Sequence, residues 1–259
     1  MKVVWLILLL LVVVVGFYLF RPSQTKQQTN LTIPSVKSES INFIVFGDSG
    51  TGSKEQRQLA QVMLGYPFKL ILHTGDIAYQ EGTPKQLQKY FFDIYQEHLT
   101  RAPFYPSPGN HDYLTDNLTP YLDKFNKPRY YSFDSADIHF VSLDSNQYDD
   151  ALLEWLRKDL ADTQKRWKIV FFHHPPFSSG SEHGGSSKLQ QDFVPIFEDQ
   201  KVDLVLSGHE HNFERLSKND IVYVITGGGG ASLYDFVNIL PFSQFRSKSH
   251  HFILGQLKG

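Results

Sequence analysis

The 259-residue sequence contains no cysteine. This absence excludes disulfide bonds, zinc-finger clusters, iron–sulfur ligation and thiol nucleophiles together. Any metal ion would have to be held by histidine, carboxylate, amide or phenolate groups, and the sequence offers 11 histidines. Metal chemistry based on nitrogen and oxygen ligands is therefore open to this chain.

The sequence also lacks an excess of positive charge. Lys and Arg number 25 against 27 Asp and Glu, for a formal net charge of −2, and no basic run occurs. Affinity for a phosphate backbone requires surplus Lys and Arg, so we expect no nucleic-acid partner. With 20% charged and 41% hydrophobic residues, the chain is neither a disordered polyelectrolyte nor a protein of many membrane spans.

Only one long hydrophobic run is present, at residues 1–20. It is long enough to cross most of a hydrocarbon core of roughly 30 Å. A cleaved signal peptide is the alternative, but Phe17, Tyr18 and Phe20 end the run where a cleavage site needs small residues. We therefore predict a single transmembrane anchor at the cell membrane with the rest of the chain extracytoplasmic, or a secreted protein if the segment is cleaved.

Residues 21–40 are rich in Ser, Thr, Gln and Lys and have almost no apolar periodicity, which predicts a flexible linker. No internal repeat and no second linker follow. Residues 41–259 are long enough for one domain with a sizeable core, and we predict a single domain there.

Short apolar runs alternate with helical patterns in this domain. Predicted strands lie at Ile41–Phe46, Lys69–His73, Arg129–Phe133, Ile138–Leu143, Trp167–Phe172, Val202–Leu206, Phe213–Leu216, Ile221–Thr226 and His251–Leu254. Predicted helices begin near Ser53 and Pro84 and cover residues 152–160 and 189–197. Strands alternate with helices early and antiparallel pairs enter later, which predicts a mixed α/β fold: a four-layer αββα sandwich of two mixed β-sheets flanked by helices.

Polar residues with metal-binding side chains follow the apolar strands. They are Asp48, Asp76, Asn110, His173, His209 and His211, which stand directly after the strands or in the loops beyond them. The carboxyl ends of parallel strands meet at one crevice, where sites are built, so we expect these side chains to converge. Taken singly, each is weak evidence, because Asp–Gly pairs are common in turns and buried histidines are often structural.

Two glycine-rich segments do not indicate nucleotide binding. Gly47–Gly52 lacks the G-x-G-x-x-G order of a dinucleotide loop, and Gly227–Gly230 lacks the Lys-Ser/Thr of a P-loop. Close backbone approach or a sharp turn explains them. We also interpret as structural the histidines at positions 73, 98, 139, 250 and 251.

Five short segments occur in a diagnostic order. They are Asp48-x-Gly50, Gly75-Asp76-x-x-Tyr79, Gly109-Asn110-His111-Asp112, Val170-x-x-His173 and Gly208-His209-x-His211. The series resembles the calcineurin-like metallophosphoesterases, and Tyr79 narrows the resemblance to the purple acid phosphatases. Glu182-His183-Gly184 is similar to the histidine loop of the tartrate-resistant acid phosphatases. The resemblance covers roughly residues 43–230.

The resemblance implies a dinuclear metal centre and a small phosphorylated substrate. Its first metal would be held by Asp48, Asp76, Tyr79 and His211, and its second by Asp76, Asn110, His173 and His209. Oxygen ligands with a phenolate favour Fe(III) in the first position, and the amide and imidazole set suits divalent Fe, Zn or Mn in the second. Such a pair neutralises the phosphate oxygens and delivers a metal-bound hydroxide for in-line attack.

By the same resemblance, His111 and His183 would bind the phosphoryl oxygens, and one of them would protonate the departing alkoxide. The predicted function is therefore a phosphoric monoester hydrolase of the acid phosphatase type. Hydrolysis of phosphodiesters, nucleotides or phosphoproteins on the same scaffold is the alternative. A membrane-tethered binding module without catalysis is a third possibility. The sequence does not decide the oligomeric state.

Overall fold

The structure is a computed structural model and describes residues 40–258. The predicted membrane anchor at residues 1–20, and the predicted linker up to residue 39, lie outside the described residues. Among residues 40–258, no helix has both the length and the apolar character needed to cross a bilayer.

Within this part of the chain there are eleven strands and seven α-helices. The strands are β1 (Ile41–Phe46), β2 (Leu70–His73), β3 (Phe104–Pro106), β4 (Tyr131–Ser135), β5 (Ile138–Ser142), β6 (Trp167–Phe171), β7 (Leu204–Ser207), β8 (Phe213–Lys218), β9 (Ile221–Thr226), β10 (Ser243–Ser247) and β11 (Ile253–Leu257). The helices are α1 (Lys54–Met63), α2 (Pro84–Leu87), α3 (Asp93–Arg101), α4 (Thr119–Phe125), α5 (Asp150–Asp162), α6 (Ser187–Asp192) and α7 (Val194–Asp199). A π-helical turn at Gln88–Phe92 joins α2 to α3.

The strands form two mixed sheets, as predicted. The smaller has the order β11-β1-β2-β3, with β1, β2 and β3 parallel and β11 antiparallel to β1. The larger has the order β10-β8-β9-β7-β6-β5-β4, with a parallel centre from β5 to β9 and antiparallel strands outside it.

Three apolar cores separate four layers. The first lies between the two sheets and includes Val45, Leu72 and Phe171. The second joins the smaller sheet to the helices from α1 to α4, and the third joins the larger sheet to α5, α6 and α7. The described residues therefore stack as helix, sheet, sheet and helix, in agreement with the predicted architecture.

Local signals in the sequence account for several element boundaries. The Ser53 hydroxyl accepts a hydrogen bond from Gln56 N and caps α1, and Thr83 forms a reciprocal capping box with Gln86 before α2. Asn219 and Asp220 have φ of 50° and 64°, as the two-residue turn of the β8–β9 hairpin requires.

Two strands were not predicted from the sequence. β3 has only three residues, and β10 is an edge strand whose Ser–Gln–Phe–Arg–Ser sequence carries little apolar alternation. Both form because a neighbouring strand offers backbone partners: β2 pairs with β3 and β8 pairs with β10. Pairing of this kind depends on tertiary context and leaves a weak sequence signal.

Candidate metal centre

Asp48 and Asp76 follow the parallel strands β1 and β2. Both carboxylates are buried, and both residues have φ of 57°, in the left-handed region. This conformation is uncommon for residues other than glycine and persists where the surrounding structure fixes a turn or a site. The two strand ends therefore present two acidic side chains in one buried crevice.

Gly109 and Gly208 allow neighbouring loops to approach these carboxylates. A Cβ atom on Gly109 would lie 2.2 Å from Asp76 Oδ1, and one on Gly208 would lie 2.3 Å from Asp48 Oδ2. Neither distance can accommodate a side chain. The glycines of the third and fifth segments are thus required for the loops to close around the two acids.

Tyr79 joins the two acids to a distant histidine. Its Oη atom lies 2.9 Å from Asp76 Oδ2, 3.2 Å from Asp48 Oδ1 and 3.1 Å from His211 Nε2. In addition, His211 Nε2 lies 3.4 Å from Asp48 Oδ1. These four side chains form the first half of the centre, with one phenol, two carboxylates and one imidazole.

Asn110, His173 and His209 form the second half. Asn110 Oδ1 lies 2.9 Å from His173 Nε2, and His209 Nδ1 lies 3.1 Å from the same nitrogen. Asp76 Oδ2 is 3.5 Å from His173 Nε2, so this carboxylate borders both halves. His209 has φ of 69°, which supplies the backbone twist that separates its side chain from that of His211.

The structure thus brings together all seven side chains that the sequence predicts as ligands. Donor atoms of Asp48, Asp76 and His173 lie within 4.8 Å of one another. The role of the seven as metal ligands stays a prediction.

Hydrogen bonds behind the centre determine which nitrogen each histidine presents. His173 Nδ1 donates to the carbonyl of Thr74, and His211 Nδ1 donates to the carbonyl of Ser232, each at 2.8 Å. Since a carbonyl only accepts, Nδ1 carries a proton in both rings and Nε2 faces the centre, where it can bind a metal ion in its deprotonated form. Such bonds orient histidine ligands in metal sites.

The ligand atoms of the centre have the chemistry that binds a positive ion. The lone pair of His173 Nε2 faces Asn110 Oδ1 and Asp76 Oδ2, which are also acceptors, and His209 Nδ1 approaches the same atom. Burial lowers the pKa of His173 well below its usual value, so this imidazole is neutral and cannot donate through Nε2. Acceptors that point at one another in a buried place are satisfied by a positive ion.

Burial in the same crevice also shifts the pKa values of the acidic groups. Burial raises the pKa of Asp48 to about 6, although His211 opposes the shift through its hydrogen bond and charge. Burial and the neighbouring carboxylates of Asp76 and Asp48 raise the pKa of the Tyr79 phenol well above its usual value of 10. A cation in the cluster would favour the deprotonated form of each group.

Two further residues that sequence reasoning did not assign hold the centre together. The carboxylate of Asp112 accepts hydrogen bonds from the backbone N–H groups of Asp76, Ile77 and Gly109, at 2.8 to 3.1 Å. It therefore holds the second segment against the third. The sequence signal that could have identified Asp112 is its place beside Asn110 and His111. Tyr234 stacks on the His211 ring at 4.1 Å between centroids, without any sequence signal.

The two predicted catalytic histidines contact different residues of the centre. The His111 ring packs on Tyr79 with centroids 4.5 Å apart, and its Nε2 lies 4.0 Å from Asp76 Oδ2. The His183 ring stacks on His209 with centroids 4.0 Å apart. Each is thus placed beside one half of the donor set.

A third histidine beside the centre was not predicted. The His174 ring contacts His209 at 4.4 Å between centroids, and its Nδ1 lies 2.9 Å from the Ser145 hydroxyl. His174 and Ser145 also line a cavity of about 400 Å³ that adjoins the centre. The other lining residues are Asn146, Gln147, Tyr148, Ser186, Lys188 and Leu189.

Comparison with known proteins identifies the family. The family model described as calcineurin-like phosphoesterase matches residues 41–213, which include every predicted ligand. The chain belongs to the calcineurin-like phosphoesterase family.

Relatives within this family are purple acid phosphatases. Purple acid phosphatase 3 of Arabidopsis thaliana is 29% identical in an alignment 257 residues long, and the match covers 82% of this chain and 69% of the relative. Purple acid phosphatase 4 of the same plant is 29% identical in an alignment 241 residues long, and the match covers 77% of this chain and 71% of the relative. Purple acid phosphatases are metal-dependent phosphoesterases, and the prediction of an enzyme of this class is confirmed by these relatives.

Solved structures share the fold. GAP50 of Plasmodium, described as the anchor in the inner membrane complex, superposes with a TM-score of 0.75 at 22% identity, covering 85% of this chain and 81% of that one. Purple acid phosphatase PPD1 of yellow lupin gives a TM-score of 0.72 at 21% identity, covering 85% of this chain and 50% of that one. At these identities the likeness establishes the architecture alone.

Proposed function

We propose that this calcineurin-like phosphoesterase is an acid phosphatase that hydrolyses phosphoric monoesters at a dinuclear metal centre. The observation that carries the proposal is the convergence of seven metal-binding side chains in a buried crevice, where the Nε2 lone pair of His173 faces the oxygens of Asn110 and Asp76. The purple acid phosphatase relatives support it, since that group usually holds iron and a divalent ion.

The donor set divides between two positions. Asp48, Asp76, Tyr79 and His211 would hold the first ion, and Asp76, Asn110, His173 and His209 the second. The phenolate and carboxylate oxygens suit Fe(III), whereas the amide and two imidazoles suit divalent Fe, Zn or Mn. When bound, the ion pair supplies Lewis acidity that neutralises the phosphoryl oxygens and activates water for in-line attack.

The residues of the chain supply binding and proton transfer. The rings of His111 and His183 border the centre, where each can donate a hydrogen bond to a phosphoryl oxygen. His111 Nδ1 already donates to the carbonyl of Gln80 at 2.6 Å, so His111 donates to phosphate through Nε2 of the protonated ring. One of the two protonates the leaving alkoxide, a contribution of about 10²- to 10⁴-fold for a well-placed acid. We expect an acidic pH optimum.

The cavity beside His174 is the proposed place of the leaving group. Its lining combines hydroxyl and amide groups with Tyr148 and Leu189, and its single ammonium, from Lys188, is paired with Asp192 at 2.8 Å. A lining without net charge suits a small neutral leaving group. This favours a small monoester as the substrate over a phosphoprotein, because the surface of a protein would have to fit a cavity of about 400 Å³.

A binding role without catalysis is the competing function, because the anchor protein GAP50 has the same fold. The filled donor set favours the enzyme. We further propose that residues 41–259 form the catalytic domain, that residues 21–40 are a linker and that residues 1–20 anchor the chain in a membrane.

The test of the proposed function is turnover by purified protein of measured metal content. We expect hydrolysis of 4-nitrophenyl phosphate at acidic pH and much slower hydrolysis of bis(4-nitrophenyl) phosphate. The reverse order would indicate a phosphodiesterase. Two bound metals without turnover of either ester would favour the binding role.

A further inference from the structure

A buried carboxylate lies directly behind the His183 loop. Glu210 stands between the predicted ligands His209 and His211, and its side chain is fully buried. Its Oε1 atom accepts hydrogen bonds from the backbone N–H groups of His183 and Gly184, at 2.5 and 2.6 Å. One carboxylate oxygen thus binds two consecutive amides of an otherwise exposed loop.

The other oxygen of this carboxylate has no partner among residues 40–258. It lies so close to Gly180 that a Cβ atom on that glycine would be 2.2 Å away. A buried carboxylate with one unpaired oxygen is costly for folding, since neutral groups would fill the space at lower cost. A residue of this kind is retained where its bonds serve a site.

We infer, on the basis of the proposed function, that Glu210 is a positioning residue that holds His183 at the reacting phosphate. The carboxylate accepts charge-assisted bonds, which are about twice as strong as neutral ones. It is attached to the same chain segment as His209, on which the His183 ring stacks at 4.0 Å between centroids. Glu210 therefore fixes the distance between the His183 loop and the second half of the centre.

With His183 as the group that protonates the leaving alkoxide, the consequence for the reaction is specific. General acid catalysis requires hydrogen-bond reach to the leaving oxygen, and a displacement of about 1 Å can cost about 10²-fold in rate. Loss of the clamp should therefore impair esters whose leaving group needs a proton. An ester with an acidic leaving group, such as 4-nitrophenyl phosphate, should be affected much less.

The test compares Glu210→Ala, His183→Ala and the double variant in the full-length protein with two metals bound. Glu210→Ala should lower kcat for an alkyl phosphate about 10- to 100-fold more than kcat for 4-nitrophenyl phosphate. In the His183→Ala background the same change should add no further difference between the two esters. Glu210→Gln, which keeps an acceptor oxygen, should recover most of the loss.

Glu214 offers a matched control. It is also fully buried and accepts a hydrogen bond from Ser179 N at 2.7 Å at the base of the same loop, but it does not contact His183. Glu214→Gln should change both esters by the same factor. An equal loss on both esters in Glu210→Ala, or a difference that persists without His183, would overturn the inference.

Amide hydrogen exchange tests the clamp without turnover. The His183 and Gly184 amides should exchange at least 10-fold faster in Glu210→Ala and at an intermediate rate in Glu210→Gln, whereas Glu214→Gln should leave them protected. Unchanged protection in Glu210→Ala would also overturn the inference. An inactive wild-type protein with two metals would contradict the proposed function instead, and the exchange rates would still decide whether the clamp exists.

Discussion

The Oη atom of Tyr79 lies 3.1 Å from Nε2 of His211, although 132 positions separate the two residues in the chain. Tyr79 belongs to the loop after β2 and His211 to the loop after β7, in different sheets. Their contact requires the carboxyl ends of both sheets' parallel strands to open into one crevice. This relationship joins the fold to the proposed chemistry and leads to the first prediction.

Tyr79→Phe should abolish the visible colour of the iron-loaded protein while leaving it folded. A ferric phenolate absorbs visible light through charge transfer, and Phe fills the same space without the oxygen. Visible absorption, measured on protein of known iron content, checks this prediction. Tyr234→Phe is the control, because that ring stacks on His211 and should leave the colour intact. Persistent colour in Tyr79→Phe would remove Tyr79 from the ligand set.

Asp112→Ala should lower the free energy of unfolding by about 3 kcal/mol. The change removes the acceptor of three buried backbone N–H groups, and each buried N–H left without a partner costs about 1–3 kcal/mol before the loops relax. Urea denaturation checks the value. Asp123→Ala, at an exposed site of α4, should cost less than about 0.5 kcal/mol. Equal losses of unfolding free energy in Asp112→Ala and Asp123→Ala would show that Asp112 does not hold the two loops together.

His139 should make stability depend on pH. Burial alone would lower its pKa, but hydrogen bonds from its ring to Asp159 and Asp134, at 2.9 and 2.7 Å, raise the pKa above its usual value of 6.5. Lys165 lies 3.8 Å from Asp134 and tempers the effect. The contribution of protonated His139 is therefore complete below pH 6.5 and is lost as the pH rises through the raised pKa.

His139→Gln should accordingly cost about 1 kcal/mol more at pH 5.5 than at pH 9, measured by urea denaturation at both values. His98 is a control because its contribution to stability has the opposite pH dependence. Burial lowers the pKa of His98, so its stabilising contribution is lost as the pH falls. A cost for His139→Gln that is the same at both pH values would contradict the ion-pair interpretation.

Gln147→Trp should narrow the cavity beside His174 from its exposed rim. We expect KM for 1-naphthyl phosphate to rise about 10-fold, because an occupied cavity excludes a bulky leaving group, while KM for ethyl phosphate should stay within about 2-fold. Steady-state kinetics on both esters check the result. An equal change for both esters would place the leaving group elsewhere.

Sequence patterns predicted the layered architecture and the position of most strands because apolar runs, capping residues and turn residues are local signals. Six of the seven proposed ligands could be found because they follow apolar strands or lie in the loops beyond them, whereas Tyr79 was identified through the resemblance of the five segments to a known family. Helices begin near Ser53 and Pro84, as the sequence predicted. The paired strands β3 and β10 left no such signal.

The supporting residues could not be found in the same way. Glu210, Asp112 and Tyr234 act through contacts with loops that are distant in sequence, and a single carboxylate or ring has no periodicity. His174 has no sequence signal of its own, because the fourth segment of the resemblance ends at His173. Its hydrogen bond to Ser145, on the loop after β5, is visible only in the folded chain.

The most direct measurement of the central claim is anomalous diffraction from crystals of the metal-loaded protein, collected at the absorption edges of iron and zinc. We expect two peaks about 3.5–4 Å apart, with the carboxylate of Asp76 between them and Tyr79 beside the iron peak. A single peak, or peaks remote from Asp76, would contradict the dinuclear centre.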